Sequence, residues 1–161
     1  MKRYKDFVNE CQKDVKEIFP WDLREMLDSG EDIMLLDIRE PYEYDEMHIQ
    51  GSVNVPRGIL ECASDWGYEE TRPELAQARD KKIVVICRSG LRSILACWVM
   101  QLMGYENVIS LKTGIRGWND SEEELVDADE SVIPIEKTDE ILNTPPLPEQ
   151  LAPPSAQAKS Q

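Results

Sequence analysis

Histidine is almost missing from this chain. One occurs, His48, beside four cysteines, Cys11, Cys62, Cys87 and Cys97, and no two cysteines stand at Cys-x-x-Cys spacing. A structural zinc site draws on such clusters, so neither a metal nor another cofactor is expected. Positive charge is also short: 18 Lys and Arg against 32 Asp and Glu leave a formal net charge of −14. That balance disfavours nucleic acid and anionic membrane as partners. Long apolar runs are lacking. Nothing approaches a membrane span, and no apolar run follows a basic start as it does in a secretory signal. With the unpaired cysteines, this reads as a cytoplasmic protein with reduced thiols. There is no internal repeat, which excludes a tandem of two like domains.

What is present alternates in type. Residues 1–17 are polar, with Tyr4, Phe7, Val8, Cys11 and Val15 at helical spacing, an amphipathic helix packed on the domain as an extra element. Ile18-Phe19 reads as a short strand. Pro20 opens a helix that ends near Gly30. Ile33 to Asp37 is a buried strand, Pro41 to Met47 a short helix, and Ser52 to Pro56 a strand. Pro73 starts another helix, and Val108 to Leu111 is the fifth strand. Strands alternating with helices require a mainly parallel sheet covered on both faces.

The stretch from Ile83 to Ser93 carries the chemistry. Ile83 to Ile86 is an apolar strand, Cys87 ends it, and a polar loop with Gly90 leads into the apolar helix from Leu91 to Met103. Open α/β sheets bind ligands between a strand's carboxyl end and the next helix. The free amides at a helix start and the helix dipole favour an anion there. Arg88 and Arg92 add positive charge, so each of these effects favours the thiolate of Cys87 over the thiol. The expected object is a nucleophilic thiolate in an anion cradle. The alternative is a buried, inert cysteine, the reading given to Cys97 within its apolar helix.

The loop Cys87-Arg88-Ser89-Gly90-Leu91-Arg92 resembles the six-residue active-site loop of the rhodanese (sulfurtransferase) family. Two further stretches add to the likeness. Leu35-Leu36-Asp37-Ile38-Arg39-Glu40-Pro41-Tyr42-Glu43-Tyr44, followed by His48-Ile49-Gln50-Gly51, resembles the N-terminal signature of such domains. Gly114-Ile115-Arg116-Gly117-Trp118 resembles their ending. The resemblance spans residues 15 to 119 and implies a rhodanese-like α/β fold with a central five-stranded sheet. It implies a sulfurtransferase in which Cys87 carries a sulfane sulfur as a persulfide. A small anionic donor, thiosulfate or a low-molecular-weight persulfide, would load it, and a thiol, a protein or cyanide would unload it. Substrate contacts would come from Arg88, Ser89, Gly90, Leu91, Arg92 and Ser93. Asp37 and Arg39 would brace the fold near the site. The run Pro56-Arg57-Gly58-Ile59-Leu60-Glu61 resembles a segment beside the active-site mouth of some single-domain members, which makes Arg57 and Glu61 candidate substrate contacts or, equally, a surface pair. Cys62 reads as a bystander, the alternative being a thiol that resolves the persulfide as a disulfide. His48 reads as a turn-stabilising residue. Met47 departs from the family, where glycine is common.

Two other classes stay open. One is a sulfur-carrier or regulatory module that hands sulfur to a protein partner. The other is a phosphatase or arsenate-reductase-like enzyme. The shorter Cys-x4-Arg loop counts against the second, since related phosphatases use Cys-x5-Arg. The expected organisation is a helix over 1–17, the domain over 18–120, and a tail over 121–161. The tail is acidic and then proline-rich, docked in part through Val132 to Leu142 and disordered after Thr144.

Overall fold

The computed structural model describes residues 1–154. Five strands, β1 (Lys16–Ile18), β2 (Ile33–Asp37), β3 (Val53–Asn54), β4 (Lys82–Ile86) and β5 (Asn107–Leu111), form one sheet in the order β1-β5-β4-β2-β3. Every pairing is parallel. The sheet is therefore wholly parallel, where the sequence promised a mainly parallel one.

Eight α-helices complete the described residues: α1 (Tyr4–Gln12), α2 (Pro20–Asp28), α3 (Pro41–Glu46), α4 (Leu60–Ala63), α5 (Pro73–Ala76), α6 (Arg92–Leu102), α7 (Gly114–Asp120) and α8 (Ile135–Leu142). Proline stands in the first turn of α2, α3 and α5, where its missing N–H costs nothing. The strand residues alternate between two cores. Leu36, Ile83, Val85 and Cys87 face one side with Val8, Leu60, Ile94 and Met100. Leu35, Val84, Ile86 and Ile109 face the other with Leu23, Ile115, Trp118 and Leu142. Period-two alternation in a sheet buried on both faces explains the unbroken apolar runs of β2 and β4.

β4 lies in the middle, between β5 and β2. The chain leaves β2 outward to β3, then returns past β2 to β4 and continues to β5. That reversal opens a crevice at the carboxyl edge between β2 and β4. Asp37 ends β2 and Cys87 follows β4, so both stand at this crevice.

The region after Asp120 docks earlier than Val132. Leu125 and Val126 are 1% and 2% exposed, and Leu142 is 4% exposed, whereas Val132 is 56% exposed. Trp118 Nε1 donates to the Glu124 carbonyl at 2.9 Å, and Thr138 Oγ1 donates to Asn119 Oδ1 at 2.6 Å. Beyond Thr144 a 3₁₀ turn occupies Pro148–Gln150. The expected disorder runs from 145 to 161; residues 145–147 and Gln150 instead line a groove described below, and residues 155–161 lie outside the described residues.

Candidate active site

Cys87 is fully buried at the end of the central strand. Its Sγ accepts the backbone N–H of Gly90 at 3.1 Å and of Ser93 at 3.3 Å. Ser93 Oγ lies 3.3 Å from the same sulfur and 2.7 Å from Ser110 Oγ on β5. As a thiol the sulfur donates to Ser93; as a thiolate it accepts from it, and Ser110 takes up the other end of the hydroxyl pair. Two amides donate to the sulfur in either form, and the Ser93 hydroxyl becomes a third donor to a thiolate.

Glycines make this arrangement possible. Gly90 has φ +86°, and a Cβ there would stand 2.8 Å from the Thr113 nitrogen. Gly114 has φ +60°, and a Cβ there would collide with the carbonyl oxygens of Cys87 and Arg88. The absence of that Cβ lets the start of α7 reach the loop: the Ile115 and Arg116 amides donate to the Cys87 and Arg88 carbonyls at 2.9 and 3.0 Å. One helix start, α6, thus faces the sulfur, and a second clamps the backbone that carries it.

The loop arginines are already engaged. Arg92 grips Glu43 of α3 in a two-pronged pair, Nη1–Oε2 and Nη2–Oε1 both 2.9 Å. The Glu43 hydrogen bonds raise the Arg92 pKa above its ordinary value against the opposing effect of burial. Burial works to raise the Glu43 carboxyl, but the Arg92 hydrogen bonds, the Glu40 amide and the charges of Arg92 and Arg39 outweigh it and hold the group below the usual value. Arg88 Nη2 donates to the Leu142 carbonyl at the end of α8, 2.9 Å away.

Asp37 and Arg39 form a buried ion pair. Arg39 Nη2 to Asp37 Oδ2 is 2.8 Å, and Nε bonds both carboxylate oxygens at 3.1 Å. Arg39 Nη2 also donates to the Met47 carbonyl at 2.6 Å, and Asn54 Nδ2 donates to the carbonyls of both Asp37 and Arg39 at 3.0 Å. The pair is satisfied on every side, which is the condition for burying charge. Met47, in place of a glycine, is extended at φ −164° and buried, so the turn needs no glycine.

His48 stacks on Tyr44, donates Nδ1–H to the Tyr44 carbonyl at 2.8 Å and places Nε2 3.2 Å from Glu130. Arg57 Nη1 meets Glu61 Oε1 at 2.7 Å in an exposed pair four residues apart. Cys62 donates its thiol to the Ile59 carbonyl at 3.2 Å. Burial pushes the Cys97 thiol far up, as fits an inert core residue. All four cysteines are free.

A groove of about 1080 Å³ lies beside the loop and meets it at Arg88. Its walls include Tyr4 of α1, Tyr42, Glu43 and Glu46 of α3, Arg88, and the chain from Ile141 to Leu147. Arg57 and Glu61 are not among its walls. The Tyr4 phenol is raised by burial and then by the negative charge of Cys87, with Arg92 opposing. Four contributors escaped the sequence reading: Ser110, Glu43, Tyr4 and the Leu142 carbonyl. Ser110 had a signal, being the one polar residue in the apolar run from Val108 to Leu111. The others meet the loop only through tertiary contact.

A cysteine at the carboxyl end of a central parallel strand, cradled by the next helix's amides, defines a cysteine-loop α/β domain. A family model for the rhodanese-like domain matches residues 20–121, and the chain belongs to that family. It is 33% identical over 110 residues to YrkF of Bacillus subtilis, named for a sulfur carrier, covering 68% of this chain and 54% of YrkF. It is 33% identical over 104 residues to a sulfurtransferase of Allochromatium vinosum, covering 65% of this chain and 88% of that protein. Among solved structures, the RPA3614 protein of Rhodopseudomonas palustris, for which a tyrosine phosphatase activity has been suggested, superposes with TM-score 0.69 at 31% identity. That match covers 76% of this chain and 93% of the other. Several curated relatives are longer, and the chain spans between 24% and 54% of their length. Among the described residues no helix is long and apolar enough to cross a membrane.

Proposed function

We propose that this chain is a sulfurtransferase that takes a sulfane sulfur from thiosulfate or a low-molecular-weight persulfide onto Cys87 and passes it to a thiol or protein acceptor. The observation that carries this reading is the cradle at the sulfur: two amides and a hydroxyl within 3.3 Å of Sγ. The Cys87 thiolate attacks the outer sulfur of the donor, the donor's S–S bond breaks, and the departing sulfite or thiolate keeps the electron pair. The new Cys87 persulfide bears its charge on the outer sulfur. In this reading the loop amides from Arg88 to Ser93 hold that charge as an oxyanion hole holds oxygen, supported by the Gly90 and Ser93 amides already on Sγ. The acceptor then attacks the outer sulfur and regenerates the Cys87 thiolate, so ping-pong kinetics are expected.

The test is the intact mass after incubation with each donor, with and without later cyanide. One added sulfur on the Cys87 peptide, lost to cyanide as thiocyanate and not formed in Cys87→Ser, is the expected result. A Cys87→Ser protein that turns over at the wild-type rate overturns the reading. A second reading, a module that delivers sulfur to a protein partner, draws support from the groove wall built by residues 141–147. Truncation after Thr144, which keeps the buried Leu125, Val126 and Leu142, would favour it if small-molecule turnover is spared and transfer to a protein acceptor ends. Hydrolysis of a phosphate ester would favour the phosphatase class instead.

A further inference from the structure

The charges at the mouth cancel. Arg39 is matched by Asp37, Arg92 is matched by Glu43, and Arg88 stands with the exposed Glu46 in the same groove. Both prongs of Arg92 are spent on Glu43, whose side chain is only 15% exposed, and one edge of Arg88 is spent on a carbonyl. A dianion arriving at the Cys87 thiolate therefore meets a neutral rim, on a molecule whose formal net charge is −14. Like charges repel across such distances wherever water is partly excluded.

We infer that Glu43 is a specificity-determining residue that turns the site against dianionic thiosulfate and toward a persulfide of low charge. The inference rests on the sulfurtransferase reading above and narrows its donor. With thiosulfate, three negative charges must meet: the thiolate attacks the sulfane sulfur, the S–S bond breaks, and sulfite leaves with two of those charges. With a protonated persulfide of an uncharged thiol, only the thiolate's charge is present. Attack on the outer sulfur then releases one thiolate and leaves Cys87 with the sulfur. Glu43 costs the first encounter and leaves the second almost untouched. Arg92 remains in place because the same carboxylate that neutralises it also holds it.

The experiment compares two donors, thiosulfate and the persulfide of 2-mercaptoethanol, by the rate at which the full chain gains one sulfur on Cys87. Wild type is set against Glu43→Gln and Glu46→Gln. The quantity read is the ratio of the thiosulfate rate to the persulfide rate. That ratio is expected to rise about tenfold in Glu43→Gln and about two- to threefold in Glu46→Gln, as removal of one charge at the rim predicts. Mere loosening of α3 would lower both rates and leave the ratio where it was. If Glu43→Gln fails to fold, Glu43→Ala takes its place in the comparison, since Glu46→Gln alone does not report on Glu43. A ratio unchanged in the folded variants, with Cys87 still loading, overturns the inference and leaves the sulfurtransferase reading standing. No sulfur gain from either donor, in any of the three proteins, overturns the reading itself.

Discussion

Ser93 shows how much depends on one hydroxyl. It ties the Cys87 sulfur to Ser110 at 3.3 and 2.7 Å in a buried, solvent-free spot. Ser93→Ala leaves the Ser93 amide on the sulfur but removes the side-chain donor and strands the Ser110 hydroxyl. A hydrogen bond to a charged group is worth about 1.5–3 kcal/mol. Sulfur loading of Cys87 is therefore expected to slow by about ten- to a hundredfold, and thermal unfolding should move to lower temperature by a few degrees. Loading at the wild-type rate would mean that the amides alone hold the sulfur. The same scale separates the four thiols: Cys87 has donors, Cys62 is spent on a carbonyl, and Cys11 and Cys97 are packed in apolar surroundings.

At the level of elements, the site is a meeting of two helix starts and two strand ends. The start of α6 supplies the Ser93 amide to the sulfur, the loop before it supplies that of Gly90, and the start of α7 locks the carbonyls behind it. Gly114 is where the second helix comes within contact of the loop. Gly114→Ala must displace either the loop or α7 and also strains a positive φ. A loss of about 2 kcal/mol or more is expected in urea unfolding, together with slower loading of Cys87. An unchanged unfolding midpoint would show that the loop moves aside freely. The loop and its flanking elements were legible because a strand, a cysteine, a glycine and an apolar helix follow one another in sequence. The Arg92–Glu43 pair was not, since the two residues lie 49 positions apart and meet only after β2 and β4 pair.

On the scale of the whole molecule, the acidic stretch after Asp120 is part of the structure. Leu125 and Leu142 are buried in the core on the α2–α7 side, Val126 is buried in a bridge to His48, and Leu142 also anchors Arg88 through its carbonyl. Burying each such side chain contributes roughly 1.5–3 kcal/mol. Removal of residues 121–161 is expected to lower stability by more than about 3 kcal/mol and to free Arg88. Unfolding monitored by tryptophan fluorescence, to which the buried Trp118 contributes, would register it. A truncated chain as stable as the whole would show that these contacts form without holding the domain together.

The sequence by itself determined the strand–helix alternation, the parallel sheet, the place of Cys87 and the neighbourhood of Asp37 and Arg39. Each of these is written in residues close along the chain, where periodicity, proline and glycine act directly. Tertiary structure alone decided which charges meet. The loop motif offered Arg88 and Arg92 as positive charge for an anion, but folding brought Glu43 to Arg92 and the Leu142 carbonyl to Arg88. It likewise set Ser110 behind the sulfur, whereas Arg57 and Glu61, four residues apart, form the surface pair that the sequence offered as one of two readings. Pattern cannot reveal such partners, because hydrogen bonds and ion pairs are fixed by distance in space, and distance along the chain does not encode it.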